Sequence, residues 1–340
     1  MNDAIYIQRC FDLAQNGTGQ VSPNPMVGAV IVCAGKIIGE GWHRQYGGPH
    51  AEVLAVQSVR NPELLPQATL YCSLEPCHHF GKTPPCVDLI LNKKIPRVVI
   101  ANMDPNPLVA GQSIRKMREH GVAVTTGVLE EQGQWLNRAF FTWIQQQRPY
   151  IILKWAQSKD GYIGKKGEQT AISGPATQRL VHRWRSETDA MLVGTQTALI
   201  DNPRLNNRYF GDRQPLRIAL DWEGKIPAGF HLLDDSQPTW IIGKERAGSW
   251  ENTRFVNLER EHMMPALLQE LYFHKKATLL VEGGAALLNA FLEQGDGDEI
   301  RVITNDRHLG DGVQAPALPV GAVFMEQFSI GMDSISIYRR

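Results

Sequence analysis

His50-Ala51-Glu52, followed by Glu75-Pro76-Cys77 and then Cys86, decides the reading of this chain. One imidazole and two thiols are nitrogen and sulfur donors of the kind zinc prefers. Two thiolates offset the charge of the ion, and three protein ligands leave a fourth position open, the mark of a catalytic rather than a structural site. Water held in that position is acidified towards neutral pH. Glu52 stands two residues beyond the histidine, close to the ion without being needed as a ligand. It suits a proton carrier between that water, a ring nitrogen and a leaving amine. Cys86 follows Pro84-Pro85 and His50 follows Gly47-Gly48-Pro49, each at the expected start of a helix. A helix N-terminus there would favour the Cys86 thiolate. Zinc nucleobase deaminases carry H-x-E followed by P-C-x-x-C. His50, Glu52, Pro76 and Cys77 match, but eight residues, His78 to Pro85, separate the two thiols. Taken alone, the cysteines could be plain buried thiols and His50 a core or capping histidine. His78 and His79 read more simply as spare histidines than as substrate contacts.

All five cysteines (Cys10, Cys33, Cys72, Cys77 and Cys86) fall in the first 86 of 340 residues, so thiol chemistry belongs to the first half. The opening Met1-Asn2-Asp3-Ala4 lacks a signal-peptide layout, and no apolar run approaches the roughly 18–20 residues of a membrane span. A cytoplasmic protein without a membrane partner is expected, and in a reducing compartment clustered cysteines are more often metal ligands or catalytic than disulfides. Lys+Arg and Asp+Glu both number 35, which argues against a nucleic-acid partner and leaves room for a small anionic substrate. An apolar share of 43% is that of an ordinary globular chain, and the length suggests two domains.

Residues 4–14 predict an amphipathic helix with Ile7, Phe11 and Ala14 on one face, and apolar runs at 27–33 and 36–42 predict a hairpin about Ala34-Gly35. Helices are expected over 50–60, 87–94 and 113–120, with one longer helix after Glu130. Strands are expected over 69–73, 97–102 and 122–126. Arg148-Pro149 breaks the pattern. Strands then follow at 150–158, 190–194, 216–221, 239–243, 278–282 and 299–304, with helices near 176–187, 264–275 and 285–294. Such alternation predicts sheets with crossover helices. Glu282-Gly283-Gly284 lies between a strand and a helix, where backbone amides can approach a phosphate. It is not a full G-x-G-x-x-G, and a plain tight turn explains it equally well.

Ser22-Pro23-Asn24-Pro25-Met26-Val27-Gly28, His50-Ala51-Glu52 and the run Ser73-Leu74-Glu75-Pro76-Cys77-His78-His79-Phe80-Gly81-Lys82-Thr83-Pro84-Pro85-Cys86 together resemble the bifunctional deaminase-reductases of riboflavin biosynthesis. In that family the long loop between the cysteines is the rule. Asp104-Pro105-Asn106-Pro107 is similar to another family segment. Lys154-Trp155-Ala156, Asp160-Gly161, Val181-His182-Arg183-Trp184-Arg185, Asp189–Gly194 and Asp201-Asn202-Pro203-Arg204-Leu205 are similar to its reductase part. The resemblance implies an α/β protein: an N-terminal cytidine-deaminase-like α/β/α domain over 1–147 and a C-terminal dihydrofolate-reductase-like α/β domain over 148–340. It implies Zn2+ on His50, Cys77 and Cys86, Glu52 as proton carrier, and Asn24, His43, Lys82 and Thr83 around a pyrimidine ribonucleotide. In the second domain it implies NADPH against Ala156, Ala171, Thr197, Asp201, Trp222, Gly284, Ala285 and Ala286. Substrate would meet Gln169, Arg185, Leu205, Arg208 and Glu282, arginine suiting its phosphate. A homodimer is implied because the family's reductase domain pairs.

Two departures stand out. Asn202 replaces an acidic residue usual in the family, and Thr304-Asn305-Asp306-Arg307-His308-Leu309-Gly310 replaces an apolar segment. They leave open a deaminase whose second domain has lost reduction. A nucleic-acid deaminase is disfavoured by the balanced charge. A zinc-stabilised interaction module would need a fourth protein ligand.

Overall fold

The computed structural model describes residues 2–78, 80, 84–107 and 110–340, so Lys82, Thr83 and His79 lie outside the described residues. The chain divides into two compact units, Met1–Arg148 and Pro149–Arg340.

The first unit runs α1 (Asp3–Ala14), β1 (Gly28–Cys33), β2 (Lys36–Trp42), α2 (Ala51–Gln57), β3 (Thr69–Leu74), α3 (Cys86–Asn92), β4 (Arg97–Asn102), α4 (Gln112–Glu119), β5 (Ala123–Thr126), α5 (Glu130–Leu136) and α6 (Arg138–Gln146). Its sheet has the order β2-β1-β3-β4-β5, with β1 antiparallel to both neighbours and β3, β4 and β5 parallel. Side chains alternate across a strand, and here both faces are apolar. Ile31, Leu70, Cys72, Val98 and Ile100 pack with Ala51, Ala55, Val87, Ile90, Ile114 and Met117 of α2, α3 and α4. Val30, Val32, Tyr71, Val99 and Ala101 pack with Ile7, Cys10 and Phe11 of α1. The result is three layers, with β3 buried from end to end. Helix α2 lies close on β2: a Cβ on Gly41 would stand 2.5 Å from the Ala51 carbonyl oxygen, and one on Gly39 the same distance from that of Ala55. Glycine at both positions lets His50 and Glu52 approach the sheet.

The helix expected after Glu130 is two helices, broken at Asn137. The physical reason lies outside the helix. The buried Asn137 amide accepts from Met26 N (2.8 Å) and donates to Met26 O (2.9 Å), clasping the segment that carries Asn24.

The second unit runs β6 (Tyr150–Ser158), β7 (Tyr162–Gly164), α7 (Pro175–Glu187), β8 (Ala190–Val193), α8 (Thr195–Asp201), β9 (Leu216–Asp221), β10 (Thr239–Gly243), β11 (Thr253–Val256), α9 (Met263–Phe273), β12 (Thr278–Val281), α10 (Ala285–Gln294), β13 (Glu299–Asn305), β14 (Val313–Gln314), β15 (Val323–Ile330) and β16 (Asp333–Arg339). Nine strands form one sheet, β11-β10-β9-β8-β12-β6-β13-β16-β15, parallel up to β13 and antiparallel beyond it; β7 and β14 pair separately. The central strands are near-continuous apolar runs, as expected of parallel strands covered on both faces.

Both departures have structural roles. Asn202 ends α8 in the left-handed region (φ 41), where asparagine is tolerated, and its Oδ1 accepts from His231 N at 2.8 Å. In the 304–310 segment, Asn305 Nδ2 donates to the buried Asp333 at 2.6 Å, and Asp160 accepts from the Leu309 and Gly310 amides at 3.1 and 2.8 Å. Polar anchoring replaces apolar packing, and β13 keeps its full pairing with β6 and β16.

Candidate active sites

Three elements build the first site. His50 immediately precedes α2, Cys77 follows β3, and Cys86 is the first residue of α3. One ligand atom from each lies within 4.8 Å of the others, and His50 Nδ1 stands 3.4 Å from both sulfurs. Bonds of about 2.0–2.3 Å to zinc place neighbouring corners of a tetrahedron roughly 3.5 Å apart, so this donor set fits the ion. The cluster contains no fourth ligand among the described residues.

The helix N-terminus acts differently from the expectation at Cys86. Its amide, that of Cys86 itself, donates to the Cys77 sulfur at 3.3 Å. The Cys77 thiol is held down to about 4, chiefly by a hydrogen bond from Cys86, with burial opposing and His50 assisting. The Cys86 thiol is pushed up by that same bond, by burial and by Glu52. His50 is raised to about 9, first by its bond to Cys77. A cation held here replaces those protons, so its binding releases them.

Glu52, in the first turn of α2, is buried beside the cluster. Burial pushes its carboxyl above the ordinary range, against the pull of His50. A carboxyl moved towards neutral pH can both take and give a proton. His43 is buried and its ring meets that of His50 edge-on, with centroids 5.7 Å apart. Its Nδ1 lies 3.0 Å from the Pro49 carbonyl and therefore donates there, which leaves Nε2 to accept from the Asn24 amide at 3.1 Å. Burial lowers its pKa, keeping this neutral tautomer. The structure thus brings Asn24 and His43 to the cluster.

Glu75, beside Pro76-Cys77 in the same motif, has a structural part. Its buried carboxylate accepts from Ser113 Oγ (2.6 Å), Gly111 N (2.9 Å) and Asp104 N (3.2 Å), shaping the segment that follows β4. An acid beside Pro76-Cys77 on an otherwise apolar strand end was the available signal.

In the second unit a cavity of about 440 Å³ opens over the ends of β6 and β12. Of the expected residues, Ala156, Thr197, Asp201, Glu282, Gly284, Ala285 and Ala286 line it. A Cβ on Gly283 would stand 3.2 Å from Val193 Cα, so a side chain there would press the two strand ends apart by a few tenths of an ångström. Gly284 N donates to Thr197 Oγ1 at 2.8 Å, and Ala285 and Ala286, the first residues of α10, line the cavity. With Lys154 and Lys165 also on the wall, the cradle fits an anionic, phosphate-bearing cofactor.

Arg185 is not a loose surface charge. It grips Glu282 through two bonds (2.7 and 3.3 Å), with side chains only 16% and 8% exposed. Burial raises the Glu282 pKa, but Arg185 and Lys154 outweigh it and hold it at about 2. Arg208 bonds His182. Leu205 is buried and left-handed (φ 47), a strained conformation for a bulky residue. Gln169 is exposed and donates to the Asp201 carbonyl at 3.3 Å. Ala171 is exposed, and Trp222 packs against the core. These two, with Gln169, Arg185, Leu205 and Arg208, do not line the cavity. Lys154 does line it, and burial lowers its pKa. A lysine within the apolar run 150–156 was the signal for it.

Residues 1–102 match the cytidine and deoxycytidylate deaminase zinc-binding region, and residues 149–325 match the RibD C-terminal domain. The riboflavin biosynthesis protein RibD of Aquifex aeolicus (strain VF5) is 38% identical, over 94% of this chain and 92% of its own length. Its counterpart in Escherichia coli (strain K12) is 34% identical over 91% and 89%. The crystal structure of a diaminohydroxyphosphoribosylaminopyrimidine deaminase/5-amino-6-(5-phosphoribosylamino)uracil reductase from Thermotoga maritima superposes with a TM-score of 0.90 at 33% identity, covering 99% of this chain and 98% of that one. Acinetobacter baumannii RibD superposes with a TM-score of 0.89 at 30% identity.

Proposed function

The chain belongs to the RibD family of bifunctional riboflavin-biosynthesis enzymes, and from that premise we propose how its two units divide the work. The first deaminates 2,5-diamino-6-ribosylamino-4(3H)-pyrimidinone 5′-phosphate, and the second reduces the product's ribosyl group to a ribityl chain with NADPH. The observation that carries the reading is the convergence of His50, Cys77 and Cys86 beside the buried carboxyl of Glu52.

Zinc held by His50, Cys77 and Cys86 would supply a nucleophilic water at neutral pH. Glu52 would carry one proton of that water to the ring nitrogen and the second, from the hydroxyl left on the 2-amino carbon, to the leaving amine, so that ammonia departs and a carbonyl remains. Asn24 and His43 orient the ring through their mutual hydrogen bond, and Lys82 and Thr83 are assigned to the same substrate by resemblance. In the second unit NADPH would supply a hydride to the sugar's anomeric carbon, and solvent the proton that completes the reduction as the ribose opens. Ala156, Thr197, Asp201 and the Gly284-Ala285-Ala286 turn would hold the cofactor, with Ala171 and Trp222 assigned by resemblance alone. Glu282 occupies Arg185 Nε and Nη2, which leaves Nη1 for a substrate oxyanion. Gln169, Leu205 and Arg208 complete the proposed substrate set. Positioning, rather than acid–base chemistry, is the contribution of this unit. We assign it no acid or base.

Thiolate ligands fit a reducing cytoplasmic setting. Among the described residues no helix is long and apolar enough to cross a membrane. A homodimer is proposed on family likeness, and sedimentation would test it.

Zinc-replete protein should release ammonia from the diaminopyrimidinone ribonucleotide and then oxidise NADPH, the two followed separately, and Glu52→Gln should lower the first by ~10²–10⁴. Ammonia without NADPH oxidation would leave a deaminase alone. No ammonia from the wild type would sink the proposal.

A further inference from the structure

Val181-His182-Arg183-Trp184-Arg185 on α7 contains a histidine that the proposed function leaves without work. His182 is 2% exposed. Its Nε2 lies 2.9 Å from Arg208 Nη2 and 3.3 Å from Arg208 Nε. The Tyr209 ring stands edge-on to it, with centroids 4.8 Å apart. Arg179, one turn earlier on α7, lies 5.4 Å over the same tyrosine ring, and the Arg208 guanidinium lies 5.9 Å from it.

Arginine has donors and no acceptor, so both contacts require His182 Nε2 to accept, and an imidazolium has nothing to accept with. The surroundings keep the ring neutral. Burial comes first, then the charges of Arg185 and Arg208, and together they lower its pKa to about 4 against the opposing pull of Glu282 and the Asn206 backbone. Arg208 itself is exposed, on a loop between α8 and β9. A free arginine there samples many rotamers, and binding must freeze one of them. The Nε–Nη2 edge is turned inward on His182, so the Nη1 side is the edge left to meet a ligand.

We propose that His182 is a positioning residue, which holds Arg208 in the rotamer that presents its Nη1 edge to the substrate's phosphate. The inference rests on the reading that Arg208 binds substrate.

The test uses full-length protein, with reductase kinetics measured on the deaminated ribonucleotide and on its dephosphorylated form. His182→Phe keeps the bulk and removes the acceptor; His182→Gln returns an acceptor oxygen. The phenylalanine variant should raise KM for the phosphorylated substrate roughly tenfold. Its kcat, its KM for NADPH and its KM for the dephosphorylated form should stay within about twofold, and the glutamine variant should recover most of the loss. Equal changes in all these constants, or failure of glutamine to rescue, would make His182 a packing residue and overturn the inference. Arg208→Ala separates the two levels of the argument. If it leaves KM unchanged, the Arg208 assignment falls and the inference with it. If it raises KM while His182→Phe does not, the inference alone falls.

Discussion

Glu52 and Glu282 are both buried acids moved in opposite directions, and the difference lies in their neighbours. Glu52 meets a cluster whose net charge is small, so burial prevails and its carboxyl moves towards neutral pH. Glu52→Gln keeps the shape and removes the proton carrier. Ammonia release should fall by ~10²–10⁴, while NADPH oxidation with already deaminated substrate should be unchanged. Glu282 is held at about 2, below the ordinary 4.5, by Arg185 and Lys154. Its pairing therefore stabilises the second unit above about pH 4.5, and the contribution is lost as pH falls towards 2. Acid unfolding followed by circular dichroism should be steep through that window in the wild type. Glu282→Gln should be less stable at neutral pH and flatter in acid; an unchanged acid slope would contradict the assignment. The convergence of His50, Cys77 and Cys86 beside Glu52 was legible because a few residue types at short spacings mark it. The partners of Arg185 and Arg208 were not: Glu282 lies 97 residues from the first and His182 lies 26 from the second.

Elements with apolar periodicity were legible close to their ends. Strands β6, β9 and β10 and helix α10 run as the pattern predicts. Those with little periodicity were not. β15 is mostly exposed at the sheet edge, α8 is only seven residues long, and the short β7, β11 and β14 also escaped; β16 escaped although Ile335 and Ile337 alternate with polar residues. Asn137 broke a continuous helical pattern because its amide serves Met26. At this scale Gly41 is the sensitive point of the first unit. Gly41→Ala would press a methyl into the α2 backbone and should cost ~1–3 kcal/mol by thermal unfolding, with reduced zinc content, because α2 carries Glu52 and His50 directly precedes it. In the second unit Gly283→Val should fill the crossing beside Val193 and raise KM for NADPH with little change in KM for the pyrimidine. An unaltered NADPH KM would remove the turn from the proposed cofactor site.

For the whole molecule, the deaminase-like and dihydrofolate-reductase-like units each have their own sheet and core. Chelating zinc should therefore abolish ammonia release and leave NADPH oxidation of pre-deaminated substrate within about twofold. Loss of both together would show that the second unit depends on the metal. The two-part organisation was readable in advance because thiols cluster in one half and Arg148-Pro149 interrupts the pattern between strands. The sequence by itself determined the α/β class of each unit, the His50-Cys77-Cys86 cluster and the strand–glycine–helix turn, since these depend on local periodicity and short spacing. Only the tertiary structure decided that the α3 N-terminal amide serves Cys77, that Asn202 and the 304–310 segment keep their places through polar anchors, and that Arg208 leans on His182. Each of these depends on which groups distant in sequence the fold brings within hydrogen-bond reach, and no local pattern encodes that.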